Sequence, residues 1–339
     1  MITSLSQRNK LKKELLELYQ KGNLFELASL AQEIKEKLHE KRYYYTINKH
    51  INYTNVCVLK CKFCGYRKNL GEKGAYTLEI EEIQRKLEEE NSLREVHVVG
   101  GLNPQLPYEY YLELIRGIKK VKPDVRIRAF TCVEIDFLSK SAKKPVEDVL
   151  MELKEAGLDA IPGGGAEIFS ERVRKSLYPG KISHLRWLEI AKTAHLLGIK
   201  TNATMLFGHI ESDEEIIEHL LTLRETQAET GGFEAFIPLP FIPENTPLSH
   251  LRPPSAQKIL KTIALSRVIL DNFPHIKAYW VFLGIGLAQV ALLWGADHIH
   301  GTVIEEKISE AMHGKAITKL PPDEIENLIR EIGGEPVLL

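Results

Sequence analysis

Residues 44–64 read YYTINKHINYTNVCVLKCKFC, a run of β-branched and aromatic residues that passes directly into three cysteines. Such a run predicts a strand, and alternation along it puts His50, Asn52 and Thr54 on one face and Ile47, Ile51 and Tyr53 on the other. Runs of the same kind recur roughly every 30 to 40 residues: REVHVVGG (94–101), VRIRAFT (125–131), LDAIPGG (158–164), KTNATMLFG (200–208), FEAFIPL (233–239), IKAYWVFLG (276–284) and DHIHGTVI (297–304). Segments of helical periodicity separate them, such as PYEYYLELIRGIKKV (107–121) and HLRWLEIAKTAHLLG (184–198). Repeated strand-helix units predict an α/β fold with a parallel sheet, and eight of them make one (β/α)8 TIM-type barrel. A doubly wound open sheet stays open as the alternative at this level, because the pattern does not show closure.

Residues 1–43 are charged and leucine-rich, which predicts a helical extension ahead of a barrel over 44–312; residues 313–339 predict a closing helical segment. The outer face of a barrel strand packs on helices and should be apolar. The polar set therefore points inward: His50, Asn52 and Thr54, then His97, Arg126 with Arg128, and Asn202 with Thr204. A purely structural barrel fills its lumen with branched apolar side chains, so this lumen reads as a functional one.

Four cysteines in 339 residues, three of them within eight positions, cannot form a disulfide framework and point to metal chemistry in a reducing compartment. The formal net charge of -1 gives no electrostatic reason to expect a nucleic-acid partner. No run approaches the eighteen or so apolar residues of a membrane span, and the N-terminus lacks the apolar stretch of a signal peptide, so the expectation is a cytoplasmic protein with no membrane partner.

Cys57, Cys61 and Cys64 follow the first strand, in the kind of loop that builds a barrel's active site. Thiolates select zinc or iron-sulfur clusters. A structural zinc closes with four ligands, commonly as two paired motifs, and no second pair exists here. Cys132 stands alone and reads as a small buried apolar residue. Three ligands suit a 4Fe-4S cluster with one iron left free, with zinc or plain thiols as the other readings.

The CxxxCxxC spacing, with Phe63 just before the last cysteine, resembles the radical S-adenosylmethionine superfamily. That resemblance implies that the free iron binds S-adenosylmethionine and that an external one-electron reductant drives its cleavage. VVGGLNP (98–104) resembles the superfamily's GGE-like turn, which implies a cofactor role for Gly100 and Gly101; Leu102 replaces the acidic residue, leaving backbone carbonyls for that work. MLFGHIE (205–211) resembles its apolar-Gly-x-x-Glu segment beside the adenine and implicates Gly208. IPGGGAEI (161–168) offers a glycine-rich approach with Glu167, or a plain tight turn.

HINYTNVCVLKCKFC, GLDAIPGGGAEIF, ETGGFEAFIPLPFIPENTPL and GTVIEEKI resemble one branch, the futalosine enzymes of menaquinone biosynthesis and their deazaflavin-synthesis relatives. TNATMLFGHIE and HIKAYW are most similar to the aminofutalosine synthases. That implies a small aromatic enol ether, 3-[(1-carboxyvinyl)oxy]benzoate, as substrate, and addition of the adenosyl radical to its vinyl carbon, with aryl migration and decarboxylation. The cyclic dehypoxanthinyl futalosine synthases and the deazaflavin-cofactor synthases are the neighbouring readings, and a non-catalytic zinc- or cluster-binding module is the reading from another class. For such a substrate, Arg128 has the planar fork that suits a carboxylate. Asn52, Thr54 and Tyr279 are further candidates for substrate contact, Asn202 and Thr204 for hydrogen bonds to the cofactor, and His50, His97, His209 and Glu211 for acid-base work. Trp280 could wall the aromatic ring beside Tyr279, although at strand spacing one of the two belongs to the core.

Replacing any one of Cys57, Cys61 or Cys64 with alanine is expected to abolish cluster binding and turnover. Cys132→Ala is expected to keep its iron. Iron analysis of the four variants checks both statements, and a loss of iron in Cys132→Ala would show a fourth ligand.

Overall fold

The computed structural model describes residues 5–314 and 319–339. Residues 315–318, part of the expected C-terminal segment, lie outside them, as do residues 1–4 of the N-terminal extension.

Ten strands follow one another among the described residues: β1 (Arg42–Thr46), β2 (Asn48–Ile51), β3 (Glu95–Val98), β4 (Arg126–Ala129), β5 (Ala160–Ile161), β6 (Lys200–Phe207), β7 (Phe233–Pro240), β8 (His275–Ile276), β9 (His298–Gly301) and β10 (Glu335–Leu338). Strands β2 to β8 pair in chain order in one parallel seven-stranded sheet, and β10, β1 and β9 form a second. The two sheets meet through β9. On one side the Ala278 amide donates to the His298 carbonyl (2.8 Å) and the Asp297 amide to that of Ile276 (3.1 Å). On the other, Thr302, Ile304 and His50 amides donate to Thr46, Asn48 and Ile304 carbonyls at 2.8–3.1 Å. The first strand of the sequence reading is thus two strands broken at Ile47, and β9 completes the circuit of the α/β barrel.

The pleat sorts side chains as the alternation demands. Val96, Val98, Ile127, Ala129, Ala203, Met205 and Phe207 point outward and have no exposed surface, because the surrounding helices cover them. Their alternates point inward. Register carries this across strands: His50 pairs with His97, and His97 with Arg128, so the three stand at one level of the lumen.

Two helices, Leu5–Lys21 and Leu24–His39, precede the barrel and pack on its outer helices. Asn23 caps the second by accepting from the Phe25 amide (2.9 Å). Arg8 ties the first to Glu218 (2.7 Å) and Glu225 (2.6 Å).

Three expectations are corrected. The strand expected over 158–164 stops at Ile161, since Pro162 has no N–H to extend a ladder. The strand expected over 276–284 stops at Ile276; Trp280–Leu283 is a helical turn ended by Gly284 at φ 77°, and the Trp280 indole donates to the Gly301 carbonyl (2.8 Å). The C-terminal segment holds a helix, Pro322–Glu331, and also β10, whose partner β1 lies almost 300 residues earlier; four residues including a proline carry no strand signal by themselves.

Closure of the barrel rests on a buried ion pair. Arg267, on the helix Ala256–Ile269, donates to the Gly295 (3.0 Å) and Phe273 (3.1 Å) carbonyls and pairs with Asp297. Asp297 in turn accepts from the Ile276 amide (2.8 Å) at the start of the seam. Arg267→Ala is expected to cost about 3–5 kcal/mol, because it strands a buried carboxylate. Arg330→Ala, which breaks an exposed pair with Glu326, is expected to cost under ~1 kcal/mol. Urea midpoints at unchanged slope check both.

Candidate active site

At the C-terminal ends of the strands lies a cavity of about 280 Å³, walled by the loops that follow β2, β3, β4 and β5 and by the ends of β6 and β7. Cys57, Cys61 and Cys64 all line it, as do Phe63, Gly100, Gly101, Glu167 and Thr204. The cysteine loop is held from several directions: the Cys57 amide donates to the Lys68 carbonyl (3.1 Å), Val58 to Leu102 (3.1 Å) and Lys62 to Leu177 (2.9 Å). Each thiol is half-buried and free. Burial pushes the Cys61 thiol up to about 12 against the pull of Lys181, and burial raises Cys64 too. A cationic metal centre bound at this site would offset that rise at Cys61 and Cys64, since coordination deprotonates a thiol outright. The donor set therefore fits a thiolate-bound metal centre.

The two glycines are required by close approach. A Cβ on Gly100 would sit 2.6 Å from the Tyr53 ring, and one on Gly101 would sit 2.2 Å from the Val56 carbonyl oxygen. Glu134, absent from the sequence reading, holds this turn. Its buried carboxylate accepts from the Gly100 amide (3.0 Å), the Tyr53 hydroxyl (2.9 Å) and the Thr131 amide (2.7 Å). Burial raises its carboxyl, and these donors offset part of that rise. Lys181 is the second omission: it lies against the Phe63 ring, 5.1 Å from its centroid, and pairs with Glu167. Neither sits in a motif, and only the fold brings them to the cavity.

Below this cavity the lumen continues as a second space of about 170 Å³, bordered again by Thr204 and Leu239 and floored by His50, His97, Arg128, Asn202 and His300. Tyr279 and Asn52 line it as well. The Tyr279 ring stacks on Phe282 at 5.4 Å and lies 4.3 Å from His300. Asn52 uses its amide to hold the Val99 carbonyl (3.1 Å) and the Lys307 amide (2.9 Å). The Thr204 hydroxyl donates to the Gly163 carbonyl (2.8 Å).

A model of the radical SAM superfamily matches residues 51–223, and a model of the CofH/MqnC C-terminal region matches residues 230–339. The chain belongs to the radical SAM superfamily. It is 43% identical over 328 residues to an aminodeoxyfutalosine synthase of Thermus thermophilus, covering 95% of this chain and 88% of that one. It is also 39% identical over 320 residues to a 5-amino-6-(D-ribitylamino)uracil--L-tyrosine 4-hydroxyphenyl transferase of Methanopyrus kandleri, covering 92% and 87%. The crystal structure of methylornithine synthase superposes with a TM-score of 0.77 at 20% identity over 96% of this chain and 93% of that one, a likeness of fold. Radical SAM enzymes use a 4Fe-4S cluster and S-adenosylmethionine, and Cys57, Cys61 and Cys64 are the residues that would hold the cluster here. No helix among the described residues is long and apolar enough to cross a membrane.

Thr54, Gly208, His209 and Glu211 line neither cavity, and Arg128, though in the lumen, is already engaged. Thr54 is fully buried away from both cavities, and its hydroxyl donates to the Tyr76 carbonyl (2.7 Å). Arg128 borders the lumen, yet its guanidinium is engaged by Glu95 (3.1 Å) and Glu234 (2.8 Å), so its fork is already filled by protein carboxylates. His209 and Glu211 lie outside the cavity walls and lock the turn after β6. Glu211 accepts from the Gly208 (2.7 Å) and His209 (2.8 Å) amides and pairs with the His209 ring (2.9 Å) and with Lys258 (3.2 Å). Gly208, at φ 92°, supplies the left-handed backbone that lets this turn close. Cys132 is buried in the first turn of the helix Cys132–Ala142 and reaches neither cavity.

Burial raises the Glu211 carboxyl, but His209, Lys258 and the Gly208 amide outweigh it and bring it down to about 2. A carboxylate depressed in the folded state stabilises fully above its ordinary pKa, near 4.5, and loses that contribution as pH falls toward 2. Glu211→Gln is therefore expected to destabilise the protein at neutral pH and to flatten the fall of stability between pH about 4.5 and 2. Denaturant midpoints measured across that range, with wild type in parallel, check the slope.

Proposed function

We propose that this chain is an aminodeoxyfutalosine synthase, joining the 5′-deoxyadenosyl group to 3-[(1-carboxyvinyl)oxy]benzoate with aryl migration and decarboxylation to give 6-amino-6-deoxyfutalosine. The observation that carries this reading is the continuity of the thiol-lined cavity with an aromatic-walled, histidine-floored lumen through the shared border at Thr204 and Leu239. The 43% identity to an enzyme of that name over nearly the whole chain supports it. When bound, the cluster and S-adenosylmethionine supply the adenosyl radical.

The chain's own residues have four tasks. Gly100 and Gly101 keep the floor of the upper cavity thin enough for a ligand to meet backbone. Leu206, Leu239 and Phe241 make its far wall apolar and exclude water. Tyr279 and Phe282 offer stacked rings beside the lumen, which suits an arene. His50 and His97, held neutral by burial, make the lumen floor polar, with Glu95 2.5 Å from the His97 ring to orient it. Asn202 has a buried carbonyl oxygen with no protein partner and faces the same space.

The second reading is a transfer of a tyrosine-derived 4-hydroxyphenyl group to an aminouracil, the reaction class named for relatives 39% and 40% identical to this chain. Anaerobically reconstituted protein with reductant and S-adenosylmethionine should be offered the enolpyruvyl benzoate, and in a separate reaction tyrosine with the ribitylaminouracil. Mass spectrometry is expected to find an adenosyl-arene adduct that has lost one carboxylate, and only in the first. A uracil adduct in the second would transfer the assignment to the deazaflavin class, and release of 5′-deoxyadenosine alone in both would overturn the synthase reading.

A further inference from the structure

The floor of the lumen brings together three imidazoles from distant parts of the chain: His50 on β2, His97 on β3 and His300 on β9. One nitrogen from each lies within 4.8 Å of the other two. Their ring centroids are 4.7, 6.0 and 5.4 Å apart. Three imidazoles on a tetrahedral ion at a metal-nitrogen distance of about 2.0–2.1 Å have centroids about 5 Å apart, so the ring spacing suits a shared metal and only ring rotation is needed to converge the nitrogens. We propose that His50, His97 and His300 form a divalent transition-metal site of the zinc type, separate from the cysteine site and open toward the lumen.

Further observations point the same way. Both ring nitrogens of His300 are buried without a partner among the described residues, an expensive arrangement that a metal would relieve. His300 also holds φ at 79°, an unusual backbone conformation for a residue with a side chain. The His97 ring meets the Glu95 carboxylate at 2.5 Å, and Glu95 is fixed in turn by Arg128, which is the carboxylate-histidine arrangement that orients a ligand for a metal. The other histidine group of the described residues, His39 and His275 with Asp297, contrasts with this one. There the His39 ring meets the Pro274 carbonyl (2.7 Å) and Asp297 is taken by Arg267, so its hydrogen bonds are satisfied.

Imidazole ligands suit zinc, and three of them leave a fourth position for an oxygen ligand. That position would face the lumen and select a small molecule carrying a carboxylate or phenolic oxygen. The ammonium of Lys277, close enough to disfavour charge on His50, His97 and His300, opposes a cation here, while Glu95 favours one.

The test uses cluster-loaded protein, so that Cys57, Cys61 and Cys64 are occupied, dialysed anaerobically against micromolar zinc and then freed of excess. Metal analysis is expected to show about one zinc per chain beside about four irons, with a nitrogen/oxygen shell and imidazole outer scattering in zinc X-ray absorption. His300→Ala and His50→Ala should each lose the zinc and keep the iron. The near-isosteric Glu95→Gln should weaken zinc binding roughly ten- to a hundredfold at unchanged iron, and Lys277→Met should strengthen it. Absence of zinc, a sulfur shell, or undiminished zinc in His300→Ala would each overturn the proposal. None of these readouts depends on turnover, so the site stands or falls independently of the synthase assignment.

Discussion

One guanidinium organises the interior of this barrel. Arg128 of β4 reaches Glu95 of β3 on one side and Glu234 of β7 on the other, and all of its partners are supplied by strands. A charged group this deeply buried is tolerable only when it is paired and hydrogen-bonded. Once Glu95 is committed to Arg128, its remaining capacity holds the His97 ring, and His97 stands beside His50 by register. The polarity of the lumen floor follows from that chain of commitments. Arg126 adds a more exposed pair to Glu234 at 2.7 Å, closing the network toward the base of the barrel.

Above the floor the design is different. The upper cavity is built from loops, and its shape depends on places where backbone passes close to backbone or ring. Gly100 and Gly101 permit that approach, and Glu134 spends its hydrogen bonds on keeping the turn in place. The cysteine loop leans on the same turn through the bond from the Val58 amide to the Leu102 carbonyl. Thiol ligands and glycine turn therefore form one mechanical unit, as a centre whose ligands span only eight residues requires. A floor fixed by buried ion pairs and a mouth that depends on close backbone approach together make the chamber.

Much of this was legible in the residues alone. CxxxCxxC after a polar-faced strand located the three-thiol cavity, and period-two alternation sorted His97, Arg128, Asn202 and Thr204 to the inside, because a pleated strand leaves no other choice. The same alternation misled at Thr54, which lies past the end of β2, where the pleat no longer governs direction. His209 and Glu211 read as acid-base candidates from residue type, yet two backbone amides within three positions, with the His209 ring beside them, claim Glu211 locally. Lys181, Glu134 and His300 carried no signal, since each is brought to its place by a loop or a seam.

The sequence by itself determined the fold class, the cysteine centre and the faces of the strands, because those depend on local periodicity and on spacing within a few residues. Tertiary structure alone decided which polar side chains remain available. Arg128 is spent on Glu95 and Glu234, and the two ring nitrogens of His300 are left without a hydrogen-bond partner among the described residues. The second outcome depends on closure of the barrel through β9, a contact between residues about 250 positions apart in the chain, and the first on pairs 33 and 106 positions apart. Hydrogen-bond satisfaction is a property of neighbours in space, and pairings at that separation leave no trace in a local pattern.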